Sequence, residues 1–149
     1  MNLATMSTLN KKLFYTLFAL IFGVNIIAIP PISPQFTKDA PVIDGELNDQ
    51  IWQSATTITD FKTFAPDFGK EPAEKTVAYL AYDEENLYFA YKCYDSEPDK
   101  IKASLSNRDN IHDQDWVCIN LDSFNDHQSL YAFYVNPLGI QADSRYAAG

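Results

Sequence analysis

Between Thr76 and Asp95 the sequence alternates, turns and alternates again, a pattern that suits a strand pair and no helix. Val77 to Tyr82 reads as one strand and Asp83-Glu84-Glu85-Asn86 as a four-residue turn. Leu87 to Tyr94 reads as the returning strand of a hairpin. In that second strand Leu87, Phe89, Tyr91 and Cys93 share one face, with Tyr88, Ala90, Lys92 and Tyr94 on the other. Lys92 marks the second face as the wetter one, because an unpaired ammonium is rarely buried. Trp116 to Asp122 alternates as cleanly, sending Val117, Ile119 and Leu121 inward and Trp116, Cys118, Asn120 and Asp122 outward. Leu130 to Asn136 is a further strand, Pro137-Leu138-Gly139 a tight turn, and Ile140 to Arg145 begins another strand. Asn48 is placed to cap a short helical turn carrying Ile51 and Trp52. Short strands separated by turns, with no long segment of helical period, predict an all-β chain. The architecture expected is a β-sandwich of jelly-roll or immunoglobulin-like type.

The beginning of the chain has a different character. Lys11-Lys12 precede an apolar run from Leu13 to Ile29, and Pro30-Pro31 end it. A basic stub before such a run is the layout of a secretory signal. The run is short for a spanning helix, so a cleaved signal is the first reading and a retained anchor the second. The division expected is 1–29 signal, 30–36 proline-rich linker and 37–149 sandwich. The domain would be exported to the periplasm, the outer membrane or the outside. Because the chain stops just after a strand begins, the sandwich is expected to be incomplete at its C-terminal end.

The formal net charge is −9, and all 20 acidic residues but only 9 of the 11 basic ones follow Ile29. The residues beyond the signal therefore carry −11, which argues against nucleic acid, whose phosphates need Lys and Arg. Cys93 and Cys118 could pair in an oxidising compartment, but alternation puts them on opposite strand faces, which favours two free thiols.

The segment Pro41-Val42-Ile43-Asp44-Gly45-Glu46-Leu47-Asn48-Asp49-Gln50-Ile51-Trp52 resembles the opening signature of the family 9 carbohydrate-binding modules. Tyr82-Asp83, Leu87-Tyr88-Phe89, Asp115-Trp116-Val117 and Leu121-Asp122 are similar to later parts of that family. A narrower resemblance rests on Arg108-Asp109, Asp122 to Asp126, and Phe133 to Asp143. These look like the front domain of large bacterial surface proteins in which such a module precedes an outer-membrane-type barrel. The resemblance spans about Pro41 to Asp143 and implies a β-sandwich found beside xylanases and other glycan-degrading enzymes. The family continues where this chain stops, and some of its ligand-contacting aromatics lie in that continuation.

Two tryptophans take different expectations. Trp52, among Val42, Ile43 and Ile51, is expected in the core. Trp116 points outward beside Asn120 and Asp122, combining a stacking surface with hydrogen-bonding groups as a neutral sugar needs. Tyr88, Lys92 and Tyr94 could supply the rest of that site. Arg108 is either part of a polar groove or paired with Asp109. The alternative is that the Trp116 face is a second core layer or a contact with another region.

Asp109, Asp113 and Asp115 could supply oxygen ligands to calcium, which family 9 modules carry, although their spacing is not that of an EF-hand. A solvated acidic loop is the other reading. His112 and His127 fall in no metal or acid–base motif, and the sequence holds no nucleophile elbow, P-loop or dinucleotide fingerprint. Carboxylate abundance alone does not define a glycosidase. The function expected is non-catalytic carbohydrate binding in polysaccharide breakdown, with any hydrolase activity elsewhere in a longer protein. A docking domain at the end of a membrane barrel, binding no sugar, is the alternative.

Overall fold

Two sheets, the first mixed and the second antiparallel, account for nearly all the regular structure in the computed structural model, which describes residues 31–147. The targeting segment expected at 1–29 lies outside the described residues. From Ser33 onward the chain forms one compact unit. The elements in order are β1 (Gln35–Phe36), α1 (Gln50–Ser54), β2 (Thr56–Ile58), β3 (Thr76–Tyr82) and β4 (Leu87–Cys93). A 3-10 turn at Pro98–Lys100 precedes β5 (Val117–Leu121), β6 (Ser129–Val135) and β7 (Gln141–Ala147).

Strand β3 organises the first sheet. Along one edge it pairs antiparallel with the whole of β4, from Thr76 opposite Cys93 to Tyr82 opposite Leu87. Its other edge is shared end to end. There β2 pairs antiparallel from Ile58 opposite Ala78 to Thr56 opposite Leu80, and β1 runs parallel beside Ala81 and Tyr82. The β3–β4 turn is the four-residue loop expected from sequence. Asp83 closes it, its Oδ1 accepting the backbone N–H groups of Glu85 at 2.8 Å and Asn86 at 2.6 Å. Short Asx side chains favour such turns because they take over hydrogen bonds that a strand would otherwise supply.

Helix α1 covers one face of this sheet. It is capped by Asp49 and not by Asn48, and the cap is purely backbone: Trp52 N–H donates to the Asp49 carbonyl at 3.2 Å. Five residues would not hold a helix in water. Burial of Ile51 and Trp52 against Ala81 holds it, with Leu47, Tyr79, Tyr88 and Ala90 packed around them. Trp52 meets Tyr79 edge-on, with ring centroids 6.4 Å apart, and is a core residue as expected.

That packing corrects one expectation. Alternation puts Tyr88 and Ala90 on the wetter face of β4, yet they lie half-buried beneath α1. Lys92 misleads because it sits near the end of the strand, exposed and opposite Val77, away from the Ala81–Tyr88 pair under the helix. Both faces of the middle of β4 are therefore covered.

The second sheet has the order β5-β6-β7. Phe89 and Tyr91 of β4 and Val117 and Ile119 of β5 line the cleft between the sheets, together with Phe133 and Val135 of β6. Its volume is about 280 Å³. The Tyr91 hydroxyl reaches across and donates to the Cys118 carbonyl at 2.8 Å. The two-sheet, nearly all-β architecture is the sandwich expected from the strand pattern. Cys93 and Cys118 are both free.

The long segment from Ile101 to Asp115 has no strand of its own but covers part of the β7 edge. Asp109 N–H donates to the Gln141 carbonyl at 3.0 Å, and the Asp109 carboxylate accepts Asp143 N–H at 3.1 Å. Occupying an edge in this way blocks pairing with a foreign strand. Among the described residues no helix is long and apolar enough to cross a membrane.

Candidate carbohydrate-binding face

The outer face of the second sheet is built by register. Because strand side chains alternate, the residues sharing this face are Trp116, Cys118 and Asn120 on the β5 side, Leu130, Ala132 and Tyr134 on β6, and Ala142, Ser144 and Tyr146 on β7. Tyr134 lies opposite Cys118 and Ala142; one step along, Ala132 lies opposite Asn120 and Ser144. Tyr134 and Tyr146 therefore stand diagonally across Ala132, and their hydroxyls meet at 3.2 Å. Ala132 is 0% exposed, as expected of a small side chain under such an arch.

Trp116 extends the arch into a strip. Its ring meets Tyr134 edge-on, with centroids 5.0 Å apart and planes at 89°, a favoured aromatic geometry. Trp116 remains 46% exposed and Tyr146 53%, so the strip offers ring surface to solvent. Asn120, exposed on the edge strand, adds an amide at its side, and its Oδ1 lies 3.6 Å from the Cys118 thiol. Burial pushes that thiol's pKa up. The Tyr134 hydroxyl is pushed up to about 12, first by its hydrogen bond to Tyr146 and then by burial. It therefore stays a neutral donor and acceptor throughout the physiological range.

The end of the strip nearest Trp116 is anchored by Asn136, a buried polar residue at 4% exposure. Its Nδ2 donates to Gln114 Oε1 at 2.7 Å, while its Oδ1 accepts Leu138 N–H at 3.0 Å and Ile140 N–H at 2.8 Å. Gln114 Oε1 also accepts the Ser104 N–H at 3.0 Å. One amide thus fixes the β6–β7 turn, where Gly139 takes φ +79°, and ties it to the segment leading into Trp116.

The other residues expected at the site are distributed elsewhere. Tyr88 donates to Asp83 Oδ2 at 2.6 Å and packs under α1; that bond is the main reason the Asp83 carboxyl is held below its ordinary range. Lys92 and Lys75 place their ammonium groups 5.5 and 5.9 Å from the Tyr94 ring centroid, a local cation–π cluster at the end of β4. Arg108 donates to Gln141 Oε1 at 2.8 Å and pairs with Asp143, clamping its loop to β7. Of the six sequence-expected contacts, Trp116 and Asn120 share the outer face of the second sheet, four positions apart, while Lys92 and Tyr94 meet each other at the end of β4. Tyr134 and Tyr146 were missed. Their alternation was readable, but only the register aligns them with Trp116.

The three expected calcium ligands have separate tasks. Asp109 accepts Asp143 N–H, Asp115 Oδ2 accepts Lys102 N–H at 2.8 Å, and Asp113 lies exposed on the loop. Among the described residues, no three His, Cys, Asp or Glu side chains gather in an arrangement able to hold a metal.

The domain is thus a two-sheet β fold that carries an exposed aromatic strip beside an amide. The family model described as "Carbohydrate family 9 binding domain-like" matches residues 43–145, and the chain belongs to that family. No curated protein and no solved structure gave a significant match.

Proposed function

We propose that this domain is a non-catalytic carbohydrate-binding module, exported and working in polysaccharide breakdown, and that it holds its ligand on the Trp116–Tyr134–Tyr146 strip. The strip carries the reading: a continuous, partly exposed row of aromatic rings, with hydroxyls and an amide along it, in a chain of this family. Apolar ring faces cover the C–H faces of pyranoses, while a few placed polar groups fix orientation. The Tyr134–Tyr146 pair offers hydroxyls, and Asn120 offers one donor and one acceptor group.

The face also suits neutral sugars electrostatically. Its residues on β5, β6 and β7 include no Lys or Arg; Arg145 points to the opposite face, over Tyr131, with 5.8 Å to the ring centroid. Isothermal calorimetry of the chain with xylan, cellulose and their oligosaccharides tests the reading. Heat of binding that vanishes in Trp116→Ala supports it. A folded chain that binds none of these glycans would count decisively against it.

A further inference from the structure

A second exposed aromatic feature lies far from β5–β7 in sequence, in the connection between β2 and β3. Phe64 is 85% and Phe68 82% exposed, and their rings meet edge-on at 6.2 Å with planes at 79°. The exposure is not that of a slack loop. Thr63 N–H donates to the Lys70 carbonyl at 2.9 Å and Gly69 N–H to the Thr63 carbonyl at 2.8 Å. The Thr63 hydroxyl donates to the Asp67 carbonyl, and Lys70 pairs with Asp67 at 2.9 Å. The backbone is tied at its base while two large apolar rings stand in water, an arrangement that marks an interaction surface.

We propose that the Thr63–Lys70 loop is a lipid-contacting tip that inserts Phe64 and Phe68 into the interfacial region of a phospholipid bilayer. Three observations select this occupant. The rings are nearly perpendicular, so they form no common platform for a sugar. The polar groups beside them are already engaged: Lys62 with Asp60 and Glu71, Lys70 with Asp67, and Thr63 with the loop backbone. A sugar needs free hydrogen-bonding groups as well as stacking, whereas a bilayer interface needs only apolar area.

The third observation is topological. Strand β1 runs parallel to β3, and Thr56 holds the Ser33 carbonyl at 2.7 Å. Traced backward from Gln35, the chain runs toward the Thr76 end of β3, where the Phe64–Phe68 loop also emerges, because β2 runs to Ile58 opposite Ala78. In sequence, the apolar run Leu13–Ile29, of membrane-like composition, ends shortly before Gln35. The loop region Asp60–Glu71 holds two lysines against three acids. Insertion would therefore rest on apolar area and proceed on zwitterionic lipid.

The test uses the full chain reconstituted into phosphatidylcholine vesicles, with Phe64→Trp and Phe68→Trp made separately and the unsubstituted chain supplying the background of Trp52 and Trp116. The expected result is an added emission component, blue-shifted and lost when the lipid carries brominated acyl chains, and unchanged by salt. Circular dichroism identifies a variant that fails to fold, leaving the other to report. Added emission that is solvent-like and unquenched overturns the proposal. So does protection of the added indole by xylo- or cello-oligosaccharide, which would assign the loop to glycan.

Discussion

The hydroxyls of Tyr134 and Tyr146 meet at 3.2 Å above Ala132, joining the central and last strands of the second sheet through their side chains. Neither residue is near the other in sequence, and the contact exists because Leu130 opposes Tyr146 and Ala132 opposes Ser144. The pair sets the floor on which Trp116 leans.

A pH dependence follows. Tyr134 is pushed up to about 12 by the bond to Tyr146, so the folded state holds that proton more tightly than the unfolded chain does. Its contribution to stability is fully present below the ordinary tyrosine pKa of about 10 and is lost as pH rises from there toward 12. Ultraviolet titration of phenolate formation should show a late tyrosine that moves earlier in Tyr146→Phe. Melting midpoints measured across the same alkaline window should fall less steeply in that variant.

The two tryptophans should separate binding from stability. Trp52 is 7% exposed inside the α1 cluster, and Trp52→Ala should cost about 3–5 kcal/mol in urea unfolding. Trp116 is half in solvent, and Trp116→Ala should leave the urea midpoint within about 1 kcal/mol of the parent. Its effect belongs in calorimetry, where losing the ring contact should weaken glycan affinity by about tenfold or more.

Asn136 should be the most sensitive polar position described. Asn136→Ala strips partners from Gln114 and from the N–H groups of Leu138 and Ile140, around a side chain that is itself buried in partly buried surroundings. Unsatisfied buried groups cost about 1–3 kcal/mol each, so a loss of at least about 2 kcal/mol is expected in denaturant melts. Tyr134 and Trp116 sit on the segments that Asn136 joins, so glycan affinity should fall with it.

Arg108 tests the boundary of the site. Its pairing with Asp143 is about half exposed on both sides, so Arg108→Gln should change stability by less than about 1 kcal/mol. Calorimetry should give an unchanged glycan affinity, since the residue is spent on the β7 edge. A large loss of affinity would extend the binding face around that edge.

Calcium is addressed by a thermal melt. With Asp109 and Asp115 bound to separate backbone N–H groups, millimolar calcium should leave the midpoint where it is. A binding ion would raise it by linkage.

Much of the fold was legible because it is local. The Asp83–Asn86 turn, the strands at Thr76–Tyr82 and Val117–Leu121, and the inward aim of Phe89, Tyr91, Val117 and Ile119 all come from period-two alternation and turn chemistry. The burial of Tyr88 is not legible, because Lys92 near the strand end makes the whole face look wet and a five-residue helix has no propensity strong enough to announce its footprint. The sequence offers Arg108 a groove or a pairing with Asp109, which does lie 4.0 Å away, but its nearer partners, Gln141 and Asp143, are more than thirty positions distant and not legible from sequence.

The sequence by itself determined the strands from β3 to β7, but neither β1, which falls in the expected linker, nor β2. It also determined the apolar side of β5, and that Trp116 and Asn120 share an outward face. Only the tertiary structure decided what stands beside them. Alternation assigns side chains to faces within one strand, but register between strands is set by nonlocal hydrogen bonding and packing. It is register that puts Tyr134 against Trp116, arches Tyr146 over Ala132, and sends Tyr88 under the helix and Arg108 to the sheet edge.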